Sequence, residues 1–161
     1  PGSWDVPLGV EAIPVITAEE MQGVMLKHLP SADIIIMSAA VADVKPKDYS
    51  SEKLPKRSLP ENLPLAAVPD IVAELGNRKQ PHQYLIGFAA QTGDIVKPAR
   101  EKLQRKKLDA IVANPIDKVD SGFGSDNNQA VFLDRLGREV EIPACSKLEM
   151  AHYLFDFVLC P

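Results

Sequence analysis

The run Asp33-Ile34-Ile35-Ile36-Met37-Ser38-Ala39 carries almost no polar alternation. A strand written this way is buried on both faces, the pattern of a parallel sheet. It leaves through the small residues Ser38, Ala39 and Ala40 and meets an acid at Asp43. In open α/β folds, ligands bind outside the carboxyl ends of the strands. Small side chains there let a flat ligand approach the backbone, and Asp43 adds charge at the mouth.

Two further runs end in the same way. Residues 84–90 read Tyr-Leu-Ile-Gly-Phe-Ala-Ala, and residues 108–113 close on Asn114-Pro115. Helical spacing fills the gaps between strands. Thr17 and Glu20 form a capping box ahead of a helix to His28 or Leu29. Pro69 opens a helix that Gly76 is expected to stop. A third helix, with Pro98 in its first turn, runs to about Lys107. Residues 12–16 read as an additional short strand. Residues 130–133 and 139–142 alternate around Arg135-Leu136-Gly137-Arg138 and read as a hairpin. Ser146 caps a last helix over 147–159. The expected fold is α/β: a Rossmann-like three-layer arrangement, a mostly parallel sheet with helices on both faces and an antiparallel edge hairpin.

Between residues 44 and 68 the pattern breaks. Pro46, Pro55, Pro60 and Pro64 are too dense for helix or inner strand, and Lys45, Lys47, Lys53, Lys56 and Arg57 share the stretch. It reads as an extended flap. A lysine on such a loop can close a site, exclude water and neutralise a developing anion; Lys53 and Lys56 are the candidates. The alternative is a surface loop kept soluble by its lysines. Lys102 and Lys106 lie four apart on the third helix and share a face, so they could straddle neighbouring phosphates. The alternative is a solvated basic face. Phe88, among small residues at a strand end, could stack on a base, or serve packing.

The 161 residues, 45% hydrophobic and 25% charged, suit one soluble domain over 1–161. A net charge of -4 gives no overall basic field for nucleic acid or anionic membrane. No apolar run approaches the roughly 20 residues that span a bilayer. Cys145 and Cys160 do not make a disulfide framework, and a reducing cytoplasm fits them. His28, His82 and His152 lack zinc-ligand spacing. The chain opens on Pro1 rather than Met, so an N-terminal truncation is expected. Gly122-x-Gly124 misses the dinucleotide fingerprint, because Asn127 stands at its third glycine position. There is no Gly-Lys-Ser/Thr phosphate loop and no nucleophile beside a base.

Taken together, seven elements resemble phosphopantothenoylcysteine synthetase, the synthetase half of the bacterial bifunctional coenzyme A biosynthesis protein. They are residues 39–43 (Ala-Ala-Val-Ala-Asp), 52–56 (Glu-Lys-Leu-Pro-Lys), 68–71 (Val-Pro-Asp-Ile), 87–92 (Gly-Phe-Ala-Ala-Gln-Thr), Lys102 with Lys106, 109–114 (Asp-Ala-Ile-Val-Ala-Asn) and 122–128 (Gly-Phe-Gly-Ser-Asp-Asn-Asn). They follow the family's order from about residue 12 onward. The resemblance implies a ligase that joins 4′-phosphopantothenate to L-cysteine with CTP and Mg²⁺ through an acyl-cytidylate. It also implies a cytoplasmic homodimer and a decarboxylase domain in the longer protein. By motif, Met37, Ser38 and Ala39 would line the CTP site through backbone, and Asp43 would contact the nucleotide or its metal. Phe88 would pack on the base or ribose, and Lys102 and Lys106 would hold the triphosphate. Lys53 would be the catalytic flap lysine, and Ala66, Ala67, Val68 and Pro69 would run along the nucleotide. Two positions depart from the family: Pro55 replaces a lysine, and Val68 an asparagine. The family's opening glycine-rich segment has no counterpart here, so whether this stretch is active alone stays open. The competing reading is an NAD(P)-type or non-catalytic Rossmann-like module.

Overall fold

The computed structural model describes residues 5–58, 61–117 and 126–160. In chain order the elements are α1 (Ala18–His28), β1 (Ile34–Met37), β2 (Val44–Pro46), β3 (Leu65–Ala67), α2 (Ile71–Arg78), β4 (Tyr84–Gln91), α3 (Val96–Arg105), β5 (Ala110–Pro115), β6 (Asn127–Asp134), β7 (Glu139–Ser146) and α4 (Lys147–Leu159). They divide between two compact units. One comprises the N-terminal residues to His28 with Val41–Ile71; the other comprises Leu29–Ala40 and the chain from Val72 onward.

The larger unit holds a five-stranded sheet in the order β1-β4-β5-β6-β7. β1, β4 and β5 run parallel, with Met37 opposite Gly87 and Gly87 opposite Ile111. β6 and β7 form the expected antiparallel hairpin on the β5 edge. Alternation along the strands sorts side chains between two faces. Ile86, Val112, Ala130 and Phe132 cluster with Met150, Leu154 and Phe157 of α4. On the other face Leu85, Ile111 and Leu133 are buried, as are Ala99 and Leu103 of α3. Helices therefore cover both faces at β4 and β5, but β1 is not buried on both faces as expected: Ile35 and Met37 are buried while Ile36 is 37% exposed.

Ser146 caps α4 as read from sequence, and Glu149 completes a capping box that was not: Ser146 Oγ accepts from Glu149 N–H at 3.2 Å, and Glu149 Oε2 accepts from Ser146 N–H at 2.9 Å. The last turn of α4 is held by Arg138. Its guanidinium donates to Phe157 O (2.8 Å) and Cys160 O (3.1 Å) and lies 4.4 Å from the Phe157 ring centroid. Asp134, 3% exposed, orients Arg138 through Nε at 2.6 Å and also accepts from the N–H groups of Leu136 and Arg138. Burial pushes the Asp134 carboxyl up, but the bonds from Arg138 and Leu136 outweigh it and leave the group below its ordinary 3.8. A folded-state pKa below the unfolded one stabilises fully above the unfolded value and is lost as pH falls through the folded one. The melting temperature of the native chain is therefore expected to fall as pH drops through and below the ordinary carboxylate range. Asp134→Asn should start lower at neutral pH and lose less across that window, as calorimetric melts would show.

Three expectations change. Residues 12–16 are not a strand: they have no strand partner among the described residues, and Ile16 is 96% exposed. Gly76 does not stop α2, which continues to Arg78 with a Glu74–Arg78 ion pair. The glycine is there for a crossing: a Cβ on Gly76 would sit 2.0 Å from the Lys106 carbonyl oxygen. The hairpin strands are also longer than expected, and β5 lies two residues further along than expected, taking in Asn114 and Pro115.

In the smaller unit the proline-rich flap is closed at its base by a short ribbon. Val44, Lys45 and Pro46 pair antiparallel with Ala67, Ala66 and Leu65. Pro46 can take part because this two-stranded ribbon is all edge. Thr17 and Glu20 make the expected reciprocal cap on α1, and Glu19 pairs with Lys45.

Candidate functional site

The carboxyl ends of β1, β4 and β5 lie on one rim because the three strands are parallel. Ser38, Ala39 and Ala40 are exposed there, as is Ala90, which pairs with Asn114 of β5. Ala89 and Ala113 at the same strand ends are buried, so the small residues divide between packing and open surface. Met37 is 3% exposed, so its side chain belongs to the core and only its backbone faces the rim. Phe88 is half-buried, with its ring packed against the cluster under α4.

Lys102 reaches this rim from α3. Its Nζ donates to the Phe88 carbonyl at 2.8 Å. The carbonyls of Leu85 and Gln91 accept from Asp109 and Ile116 on the β5 side. Alternation therefore turns the Phe88 carbonyl toward the β1 side, one residue past the last β1 pair, Met37 with Gly87. Lys102 thus places an ammonium where the β1 ladder has run out. Lys106 stands one turn on, as the residue that ends α3.

Two acids tie the loops of the rim, and their roles were not read from sequence. Asp94 Oδ1 accepts from Val96 N–H (3.1 Å) and Lys97 N–H (3.4 Å), which caps α3. Asp117 Oδ2 accepts from Gly93 N–H at 3.1 Å and joins the turn after β4 to the segment after β5. An aspartate two residues ahead of a helix was the available signal for Asp94.

In the smaller unit, Asp43 and residues 66–69 come together. The Asp43 carbonyl accepts from Val68 N–H at 2.9 Å, directly below the β2–β3 ribbon, and Pro69 O accepts from Ile71 N–H. The Asp43 side chain is exposed, and Lys53 is exposed on the flap between the strands. Residues 122–125 of the glycine-rich element lie outside the described residues.

Among the described residues, no group of three or more His, Cys, Asp or Glu side chains is placed to hold a metal ion. An exposed lone carboxylate such as Asp43 suits a divalent ion that arrives on a polyphosphate, since magnesium keeps most of its waters and phosphate ligands. No helix among the described residues is long and apolar enough to cross a membrane.

Residues 1–160 match the DNA/pantothenate metabolism flavoprotein C-terminal domain. The coenzyme A biosynthesis bifunctional protein CoaBC of Bacillus subtilis (strain 168) is 41% identical over 152 residues, covering 94% of this chain and 37% of the relative. CoaBC of Escherichia coli (strain K12) is 37% identical over 162 residues, covering 99% of this chain and 40% of the relative. The crystal structure of the C-terminal domain of a CoaBC superposes with a TM-score of 0.79 at 31% identity, covering 99% of this chain and 72% of that one. The chain thus spans well under half the length of the curated relatives it matches. On the strength of the near full-length match, this chain belongs to the DNA/pantothenate metabolism flavoprotein C-terminal domain family.

Proposed function

We propose that this chain carries the ligase chemistry that joins 4′-phosphopantothenate to L-cysteine at the expense of CTP, in coenzyme A biosynthesis. The observation that carries the reading is the exposed small-residue rim with the Lys102 ammonium fixed beside it. It is a place for a flat base and a polyanion on the carboxyl side of a parallel sheet. Similarity to CoaBC proteins supports the place in coenzyme A biosynthesis, and CTP follows from the resemblance of the motifs.

In the first step the phosphopantothenate carboxylate attacks the α-phosphorus of CTP. A P–O bond forms, pyrophosphate leaves, and an acyl-cytidylate results. In the second step the cysteine amine attacks the activated carbonyl carbon. An amide forms, CMP leaves, and the amine gives up a proton. Neither step needs a protein nucleophile, in keeping with a site built for positioning and charge. The backbone at Met37, Ser38 and Ala39 seats the nucleotide, and Phe88 borders the base or ribose. Ala66, Ala67, Val68 and Pro69 run alongside. Lys102 and Lys106 hold the triphosphate, Asp43 contacts the nucleotide or its Mg²⁺, and Lys53 closes over the acyl-phosphate. Mg²⁺, when bound, neutralises charge on the leaving pyrophosphate. The same reading takes the functional protein as a cytoplasmic homodimer, joined to a decarboxylase domain as in bifunctional relatives.

The test is product formation in two stages. CTP, Mg²⁺ and 4′-phosphopantothenate should release pyrophosphate, and CMP should appear only after cysteine is added. CMP release without cysteine, or no CTP turnover beside an active CoaBC control, would count against the reading. Lys102→Ala should weaken CTP more than CMP, by about tenfold or more in the ratio of dissociation constants. An unchanged ratio would remove Lys102 from the triphosphate.

A further inference from the structure

A second cleft lies in the larger unit at the opposite end of the sheet. It encloses about 550 Å³, within the range of small-molecule sites, and sits where β4 and β5 begin and α3 ends. The six strand residues of β5 separate it from the carboxyl rim by roughly 20 Å. Its lining carries four cationic side chains and two carboxylates, in a chain whose net charge is -4.

The partners of these charges decide what is left over. Asp109, 2% exposed, sits at the cleft floor. Its Oδ2 accepts from Leu85 N–H (2.8 Å) and Lys79 Nζ (2.7 Å), and its Oδ1 faces Arg135 Nε at 3.3 Å. Asp134 is taken by Arg138, and Arg100 by Glu139. Two cationic donors then remain. The terminal nitrogens of Arg135 have no hydrogen bond or ion pair among the described residues, and neither has the Lys107 ammonium.

Lys107 is set here by an unusual backbone. It is the described non-glycine residue with positive φ, 52°, and it ends α3 in a left-handed turn. Lys107 N–H donates to Gln104 O and Leu108 N–H to Leu103 O, which closes the helix end. Glycine is the usual residue at this position, so a lysine there carries backbone strain. Beneath the donors, Leu103 and Leu108 are 5% and 2% exposed and give the cleft an apolar floor.

We infer that this cleft binds a small organic anion, with Arg135 and Lys107 gripping a carboxylate or phosphate over the Leu103–Leu108 floor. A guanidinium held by Nε presents its remaining edge as a two-pronged fork that fits either group. The site is separate from the nucleotide rim and does not rest on the reaction assigned there.

The test titrates the whole chain with inorganic phosphate and, separately, with citrate at low ionic strength, read by calorimetry and amide NMR. The expected result is saturable binding of at least one probe, with shifts at Lys107, Leu108 and Arg135. Phosphate alone would assign a phosphorylated ligand, and citrate alone a carboxylate. Lys107→Glu changes an exposed side chain and should keep the native melting temperature while weakening binding at least tenfold. Arg135→Gln should weaken binding likewise but melt lower, because it also removes a partner of the buried Asp109 carboxylate, and Lys102→Ala should leave this binding unchanged. No saturable response to either probe, indifference to Lys107→Glu, or loss through Lys102→Ala would each overturn the inference.

Discussion

Asp109→Ala should destabilise the fold by about 3–5 kcal/mol, the cost of breaking a buried charge pair on one side. The carboxylate is 2% exposed and meets three separate elements: the start of β4 through Leu85 N–H, the end of α2 through Lys79, and the β6–β7 turn through Arg135. Its backbone adds to this, since the Asp109 carbonyl accepts from Arg135 N–H and its N–H donates to Leu85 O. Removing the side chain leaves the Leu85 amide without its acceptor and strands the Lys79 ammonium, only 12% exposed. In a domain of this size each kcal/mol moves the melting temperature by about 2–4 °C, so a fall of about 6–20 °C is expected. Asp109→Asn keeps an acceptor for Leu85 and should recover part of the loss. A fall below about 3 °C for Asp109→Ala would show that Lys79 and Arg135 find other partners.

Lys53→Gln should lower turnover by about 10²–10³-fold while leaving the CTP dissociation constant within about threefold. The residue is exposed on the flap, in a chain segment stiffened by Pro55 and Pro64 but held at its base by the β2–β3 ribbon. A side chain that meets substrate only when a loop closes contributes to the transition state rather than to initial binding. Steady-state CMP release at saturating substrates, set beside calorimetric CTP binding, separates the two effects. Equal losses in both would make Lys53 an ordinary nucleotide contact. Because the side chain is exposed, the variant should melt with the native chain.

Much of the larger unit was legible because its strands are apolar on both faces, and few other structures tolerate that pattern. The Thr17–Glu20 capping box and the Ser146 cap were legible because they are local. What escaped was whatever depends on distant chain. Residues 12–16 have a strand's composition but no strand to pair with among the described residues. Gly76 looked like a helix stop, yet it marks where α2 passes the Lys106 carbonyl, an approach no spacing along the chain reveals. The ribbon closing the flap joins residues some twenty positions apart across a run of prolines. At the candidate site, the exposed small residues and Lys102 could be named from sequence. The anchoring of Lys102 on the Phe88 carbonyl could not, because it depends on where β1 ends. The Lys79–Asp109–Arg135 cluster was missed for the same reason, although an acid directly before the apolar run of β5 was a usable hint.

The most direct measurement is a calorimetric titration of this chain with CTP and Mg²⁺, set beside CMP and NADPH. The account predicts saturable binding of CTP, tighter than that of CMP and weakened by Lys102→Ala, with no comparable response to NADPH. Saturable NADPH binding without any for CTP would contradict it.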